Sequence, residues 1–430
     1  MPPTIVMGVL VVLLSAGLAP AAPTGAPPDV VTVTRLDGTA VSGVLTGWSE
    51  GEVVIQTADG EQHVASDELV SLLWPKDSAA APQKPIEGMV ELTDGTVLPT
   101  ADFAVADNKA SLTLGAELPA DEKRLSIPVR QIAAVRLRTL EPPVAAQWEE
   151  IRGQNLPADV MVVMDREGKS LDHVEGVFGD VTPEKIAFKF DDEPLRVDRA
   201  KVAGLIYYRG TPQDVPEPRC VLHGHSGLRA NAAAAQIKDR MLHVTTASGV
   251  SFKWPLNDIY LADFSAGKIL YLSDVEPAAE KWTPLIGLPG GAELAANLGK
   301  LRRDRSAYGG SLSLYVGASD ASGAFAQLRS FEKGLAIRSR TELVYRVPAD
   351  FRRFVAIAGI EPATSTTGNV RLVIHADDKP LYDSDIVGTE PPKKIDLDVT
   401  GAKRLKIAVE FGQNLDTGDW LNLCDARLSK

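Results

Sequence analysis

A recurring pattern of short, alternating apolar segments cut by Asp-Gly and Glu-Gly turns limits this chain more than any other feature. Val30-Val31-Thr32-Val33-Thr34-Arg35-Leu36 alternates β-branched residues and stops at Asp37-Gly38. Residues 41–45, 53–57 and 67–73 follow, separated by Ser49-Glu50-Gly51 and Asp59-Gly60. Period-two alternation between turn signals specifies short strands in a meander or small barrel. The pattern returns at residues 90–95, which open a second copy that closes at 129–137. A third opens at 160–164 and closes at 197–207, and a weaker fourth runs from Cys220 to Phe264. Leu69, Ile132, Val202 and Ile259 take equivalent places, 63, 70 and 57 residues apart. Such self-similarity marks a repeat architecture. Each copy has room for five short strands with one helical turn before the last.

The pattern resembles the SH3-like or Sm-like small barrels that occur as tandem units in exported bacterial proteins. The expected fold class is therefore all-β, with tandem small SH3-like barrels over the repeats. The copies are assigned to residues 29–76, 86–140, 158–210 and 218–268. Pro142-Pro143, then residues 144–151 and Gly153, predict a short helix within a linker at 141–157. Pro212, Pro216 and Pro218 mark a further linker.

Charge divides the chain at the same place. Residues 269–430 hold 21 basic and 21 acidic side chains, and the first 28 residues hold none, so the whole net charge of −12 belongs to the repeats. An acidic chain argues against nucleic-acid binding, which needs a surplus of Lys and Arg. A neutral tail is poorly suited to strongly charged partners. At the N-terminus, the apolar core of residues 5–14 precedes Ala19-Pro20-Ala21. A run this short before small residues reads as a signal peptide over 1–21, cleaved near Ala21, although no Lys or Arg precedes it. The mature chain is expected to be secreted or periplasmic, with no transmembrane segment. Cys220 and Cys424 allow at most one long-range bridge and no disulfide framework.

The tail carries its own motifs. Tyr271-Leu272-Ser273-Asp274-Val275-Glu276-Pro277 comes first, then Lys333-Gly334-Leu335-Ala336-Ile337-Arg338-Ser339 with Glu342-Leu343-Val344-Tyr345. Phe351-Arg352-Arg353-Phe354, Ala358-Gly359-Ile360 and Gly368-Asn369-Val370-Arg371-Leu372-Val373-Ile374 follow. Asp383-Ser384, Val399-Thr400-Gly401-Ala402 and Asp425-Ala426-Arg427-Leu428 close the series. In this order they are similar to the NPCBM family of carbohydrate-binding modules. The resemblance covers residues 269–430 and implies a jelly-roll sandwich that binds sugar without catalysis. Two positions depart from the family pattern: Arg338 stands where His is usual, and Trp420 ends Asp416-Thr417-Gly418-Asp419-Trp420.

Sugars are held by an aromatic face against C–H groups and by charged or amide groups on hydroxyls. Trp282, Tyr308 and Trp420 are candidate faces; Arg338, Arg340, Asp416 and Asp419 are candidate hydrogen-bonding groups. Trp420 before Leu421 and Leu423 also fits a core position. Asp416 and Asp419 equally fit a turn cap or a structural calcium, the one cofactor left open.

Other chemistry is absent. Gly47-Trp48-Ser49-Glu50-Gly51 matches a nucleophile elbow in letters but lies between two strands with no helix after it. Cys220, His223 and His225 lack a fourth ligand nearby. Arg302-Arg303-Asp304-Arg305 is too short and too balanced to bind nucleic acid. No catalytic constellation is visible, so the expected function is an exported, non-catalytic carbohydrate-binding protein whose partner is a glycan or polysaccharide. The rivals are a cell-envelope scaffold that binds a protein partner through the barrels, and a protein associated with glycoside hydrolysis.

Overall fold

Asp-Gly turns need one residue in the left-handed backbone region, which glycine supplies without steric cost. In the computed structural model Gly38, Gly95, Gly168 and Gly227 lie at φ of +81°, +80°, +72° and +84°. Each sits in the first hairpin of a five-stranded group. The Asp37 and Asp94 carboxylates brace two of these turns by accepting the Thr39 and Thr96 N–H at 2.8 Å. The structure describes residues 30–75, 86–115, 118, 123–154, 156–210, 215–285, 299–319, 325–413 and 415–430. The signal peptide expected over 1–21 lies outside them.

The first group comprises β1 (Val30–Arg35), β2 (Ala40–Trp48), β3 (Glu52–Thr57), β4 (Gly60–Ala65) and β5 (Leu69–Leu73). The second comprises β6 (Gly88–Leu92), β7 (Val97–Ala106), β8 (Lys109–Leu114), β9 (Arg124–Pro128) and β10 (Ile132–Arg136). The third comprises β11 (Asp159–Met164), β12 (Leu171–Val181), β13 (Lys185–Phe190), β14 (Glu193–Asp198) and β15 (Val202–Ile206). The fourth comprises β16 (Cys220–Gly224), β17 (Arg229–Lys238), β18 (Met241–Thr246), β19 (Ser251–Pro255) and β20 (Ile259–Asp263). A single 3₁₀ turn precedes the last strand in the second, third and fourth groups.

Within each group the first four strands pair in series, antiparallel, and the fifth returns to pair with the first. The second strand of every group carries a register shift. Such a bulge bends the strand and increases its twist.

The groups join through their fifth strands. β5 pairs with β20, and β10 pairs with β15. Leu72 faces Ala262 and Val135 faces Leu205, which is the same position of the fifth strand in all four groups. Each junction thus has the register of a local two-fold. Nested pairing of first with fourth and second with third closes edges that would otherwise present unpaired N–H and C=O groups. β7 adds single bridges to β12 and β17, so all twenty strands form one hydrogen-bonded system.

Helix α1 (Pro142–Arg152) seals the junction of the second and third groups. Val144, Trp148 and Ile151 share one face and pack on Ala134, Val160, Val162, Ala203 and Ile206. Gly204 admits the indole: a Cβ there would lie 2.5 Å from Trp148 ring carbons and from the Val135 carbonyl oxygen.

The remaining strands build a sandwich. They are β21 (Ile269–Tyr271), β22 (Ala279–Trp282), β23 (Arg302–Arg303), β24 (Leu312–Ser319), β25 (Phe325–Phe331), β26 (Gly334–Arg338) and β27 (Thr341–Arg346). β28 (Arg353–Ile360), β29 (Asn369–Ala376), β30 (Lys379–Val387), β31 (Lys393–Asp398), β32 (Arg404–Phe411) and β33 (Trp420–Ser429) complete it. One sheet runs β23-β26-β33-β28-β31, with β21 also paired to β33; the other runs β22-β27-β32-β29-β30. Leu335, Ile337 and Phe354 of the first meet Leu343, Tyr345 and Leu372 of the second in one core. The β24–β25 hairpin covers the outside of the first sheet, seating Leu312 and Leu314 on Ala336 and Cys424.

Three sequence expectations resolve here. Cys220 and Cys424 are both free and buried, in β16 and β33, so the long-range bridge is not formed. Ser49 lies in a tight hairpin, its N–H donating to the Glu52 carbonyl at 2.9 Å. His223 and His225 flank the Tyr260 ring at 6.0 and 5.2 Å between centroids. Among the described residues no group of three or more His, Cys, Asp or Glu side chains can hold a metal ion. No helix among them is long and apolar enough to cross a membrane.

Replacing Gly204 with Val should cost about 2 kcal/mol, because a well-packed interior must shift to accept new methyl groups. Gly51→Ala, at a position with open space around it, should change stability by well under 1 kcal/mol. Thermal unfolding of both variants checks the contrast.

Candidate functional site

The β26 sequence alternates apolar residues toward the core, Leu335 and Ile337, with Ala336 and Arg338 on the outer face. Arg338 is the last residue of the strand, directly opposite Trp420, the first residue of β33. Trp282 closes β22 opposite Thr341, just past the Ser339-Arg340 turn. Three strand ends therefore converge at one end of the sandwich. The Arg338 guanidinium carbon lies 5.8 Å from the ring centroids of both Trp282 and Trp420. Stacking of this kind restrains a flexible side chain and spares its N–H groups for other partners.

Asp416 completes the group, with its Oδ2 3.4 Å from Arg338 Nη2. Both side chains keep solvent access, 23% for Arg338 and 37% for Asp416. A guanidinium beside a carboxylate offers adjacent donors and acceptors, which match neighbouring hydroxyls. Trp282 is fixed by its Nε1–H, which donates to the Ser339 carbonyl at 3.1 Å. Trp420 is half-buried, with one side against the β24–β25 cluster. It thus combines the core role and the surface role that its sequence context left open.

The other three candidates separate from this group. Tyr308 is 62% exposed in the Ser306–Gly310 turn, and no contact joins it to Arg338 among the described residues. Arg340 stands at φ +63° and turns its guanidinium over Phe411, 5.6 Å away. Asp419 is 1% exposed, so it cannot meet a ligand hydroxyl directly. Its Oδ1 accepts the Asn369 N–H at 3.1 Å, while Oδ2 has no partner among the described residues. Burial pushes its carboxyl up to about 6. With Asp416 on Arg338 and Asp419 enclosed, the two do not form the calcium pair the sequence allowed.

Several supporting residues give no signal in the sequence. Asn369 Oδ1 accepts the Gln413 N–H at 2.6 Å, anchoring the loop that leads to Asp416. Asn422, fully buried, donates to Glu361 Oε2 at 2.9 Å and to the Ser313 carbonyl at 3.0 Å, tying the hairpin to the sheet behind Trp420. Leu415 is 54% exposed at φ +63° beside Asp416. An apolar residue in that backbone region shows only once the loop is folded.

Asp419 supplies a pH test of this geometry. Unfolded, it titrates near 3.8; folded, near 6. A raised carboxyl pKa means that the folded state binds the proton more tightly. This contribution to stability is full below about pH 3.8 and is lost as pH rises through about 6. Asp419→Asn cannot ionise, so its stability relative to the native protein should rise by up to about 3 kcal/mol from pH 4 to pH 7. An unchanging difference in Tm across that range would contradict the assignment.

Residues 290–429 match the model of the NPCBM/NEW2 domain. No curated protein matches the chain. Similar solved structures include the CBM51-2 and INT domains of Clostridium perfringens ZmpB, at 20% identity and TM-score 0.31, covering 38% of this chain and 32% of that one. CBM51 from Clostridium perfringens GH95 in complex with methyl-galactose has 19% identity and TM-score 0.31, covering 37% and 99%. The tandem CBM51 modules of Sp3GH98 from Streptococcus pneumoniae have 12% identity and TM-score 0.30, covering 63% and 88%. This chain spans about a third of the first of these structures. The matched stretch, residues 290–429, is similar to the NPCBM/NEW2 domain and includes Arg338, Asp416 and Trp420.

Proposed function

We propose that the protein is an exported, non-catalytic glycan-binding protein, with the sugar seated at Arg338, Asp416, Trp282 and Trp420. The observation that carries this reading is the Arg338 guanidinium held between two indoles, with Asp416 beside it, at solvent-accessible strand ends of the family-matched domain. Arg338 donates to and Asp416 accepts from adjacent hydroxyls. The open parts of Trp282 and Trp420 and the exposed Leu415 meet the C–H face of the ring. Tyr308, Arg340 and Asp419 are left out of direct contact, and Asp419 acts by fixing the loop.

Trp420→Ala and Arg338→Ala, measured by calorimetry on the full chain against sugars selected on a glycan array, should each weaken binding at least tenfold. Asp416→Asn should weaken it less, because an amide still accepts one hydrogen bond. Binding unchanged in both Trp420→Ala and Arg338→Ala would refute the site, and no binding to any arrayed glycan would refute the function.

A second reading, a scaffold for an envelope protein, draws on one observation. The third β group exposes Val177, Phe190 and Leu195, at 58%, 41% and 42%. Charged replacements there should abolish any stable partner recovered with the chain and leave sugar binding intact.

A further inference from the structure

A second charged surface adjoins the Trp282 indole. Gly299 lies against that ring, where a Cβ would come within 2.0 Å of Cδ2. The chain then runs through Lys300 into β23, whose Arg302 and Arg303 face Ala336 and Leu335 of β26. Moving from Ala336 toward Arg338 on β26 corresponds to moving from Arg302 toward Lys300, since the two strands are antiparallel. The cationic segment therefore continues from the Arg338 end of the sandwich along the β23 edge, at roughly 3.3 Å per residue.

Between the edge strands β22 and β23 lies a cleft of about 400 Å³, lined by Lys300, Arg302, Arg303, Arg305, Glu276 and Glu280. That volume falls in the range of small-ligand clefts. Its charges do not cancel. Glu276 is taken by Arg303 in a two-pronged ion pair, both contacts at 2.5 Å. Asp304 belongs to the same segment but turns away, accepting the Gly334 N–H at 3.0 Å and Lys333 Nζ at 3.1 Å. Lys300 and Arg305 are exposed and form no ion pair among the described residues.

We infer that this edge cleft is a subsite for an acidic sugar residue, whose carboxylate or sulfate oxygens engage Lys300 and Arg305 while the neighbouring sugar occupies Arg338 and Trp420. The inference rests on the glycan-binding reading of the sandwich and names its ligand class as an anionic glycan. Net neutrality of the sandwich argued against strongly charged partners; the fold instead gathers four of its cations at one edge.

The test uses the full chain and calorimetry with four probes: a galacturonate oligomer, its methyl-esterified neutral form, a sulfated galactose oligomer and polyglutamate. The galacturonate oligomer should bind at least tenfold more tightly than its methyl ester, and Lys300→Ala with Arg305→Ala should remove that advantage. These two exposed residues can be changed without disturbing the core. Tighter binding of the sulfated oligomer would support the same subsite and assign it to sulfate rather than carboxylate. Equal affinity for the acidic and neutral oligomers, or polyglutamate binding as tightly as either, overturns the inference. If neutral sugars bind and depend on Trp420 while acid gives no advantage, the inference fails and the glycan site stands. If acid binding depends on Lys300 and Arg305 but not on Trp420, the subsite stands and the indole platform falls. Binding of none of the sugars overturns both.

Discussion

Unpaired strand edges are the constraint on which the rest of this structure depends. A short five-stranded meander leaves a row of N–H and C=O groups with no partner, and water or another strand must take them. In the four β groups the answer is mutual. The fifth strands pair with each other in identical register, Leu72 to Ala262 and Val135 to Leu205. The repeat is thereby its own partner. Leu72, Val135, Leu205 and Ala262 thus hold the same place in their groups, at the two-fold positions of the junctions.

The sandwich treats its edges differently, and its chemistry follows from that. On one side, β30 and β31 lie together and are bridged by Lys393, whose Nζ donates to Ser384 Oγ at 2.9 Å. On the other, β22 and β23 are short and stand apart, leaving a cleft whose walls carry charge. The ends of β22, β26 and β33 meet at the head of this opening, where Arg338 is held between Trp282 and Trp420. In the proposed reading, ligand recognition thus concentrates where backbone pairing stops.

Much of this was legible in the sequence because alternation and Asp-Gly turns act locally. The first hairpins, the 3₁₀ turns before the last strands and the helix after Pro142-Pro143 all follow from neighbours within a few residues. Arg338 and Trp420 could be singled out because the family motifs bracket them. The nested order of the four groups was not legible, since it depends on which edges meet across more than a hundred residues. The separation of the seven candidate residues was hidden for the same reason. Asp416 and Asp419 are three residues apart, yet one faces Arg338 in solvent and the other is enclosed against Asn369. The tight turn at Gly418, φ +74°, divides them. The cationic edge escaped notice because Arg302-Arg303-Asp304-Arg305 looks balanced in letters, while the fold turns Asp304 aside.

The central claim, that sugar is read by two indoles at the end of the sandwich, can be tested directly by fluorine NMR. The chain has six tryptophans, Trp48, Trp74, Trp148, Trp254, Trp282 and Trp420, so 5-fluorotryptophan labelling gives six probes spread over the whole molecule. Trp74 and Trp254 are fully buried in the β groups, and Trp148 lies under α1. On titration with a bound glycan, the Trp282 and Trp420 resonances should shift together along one binding curve while the other four stay fixed. Shifts confined to Trp48, Trp74, Trp148 or Trp254, or a saturable binding curve with Trp282 and Trp420 unmoved, would contradict the account.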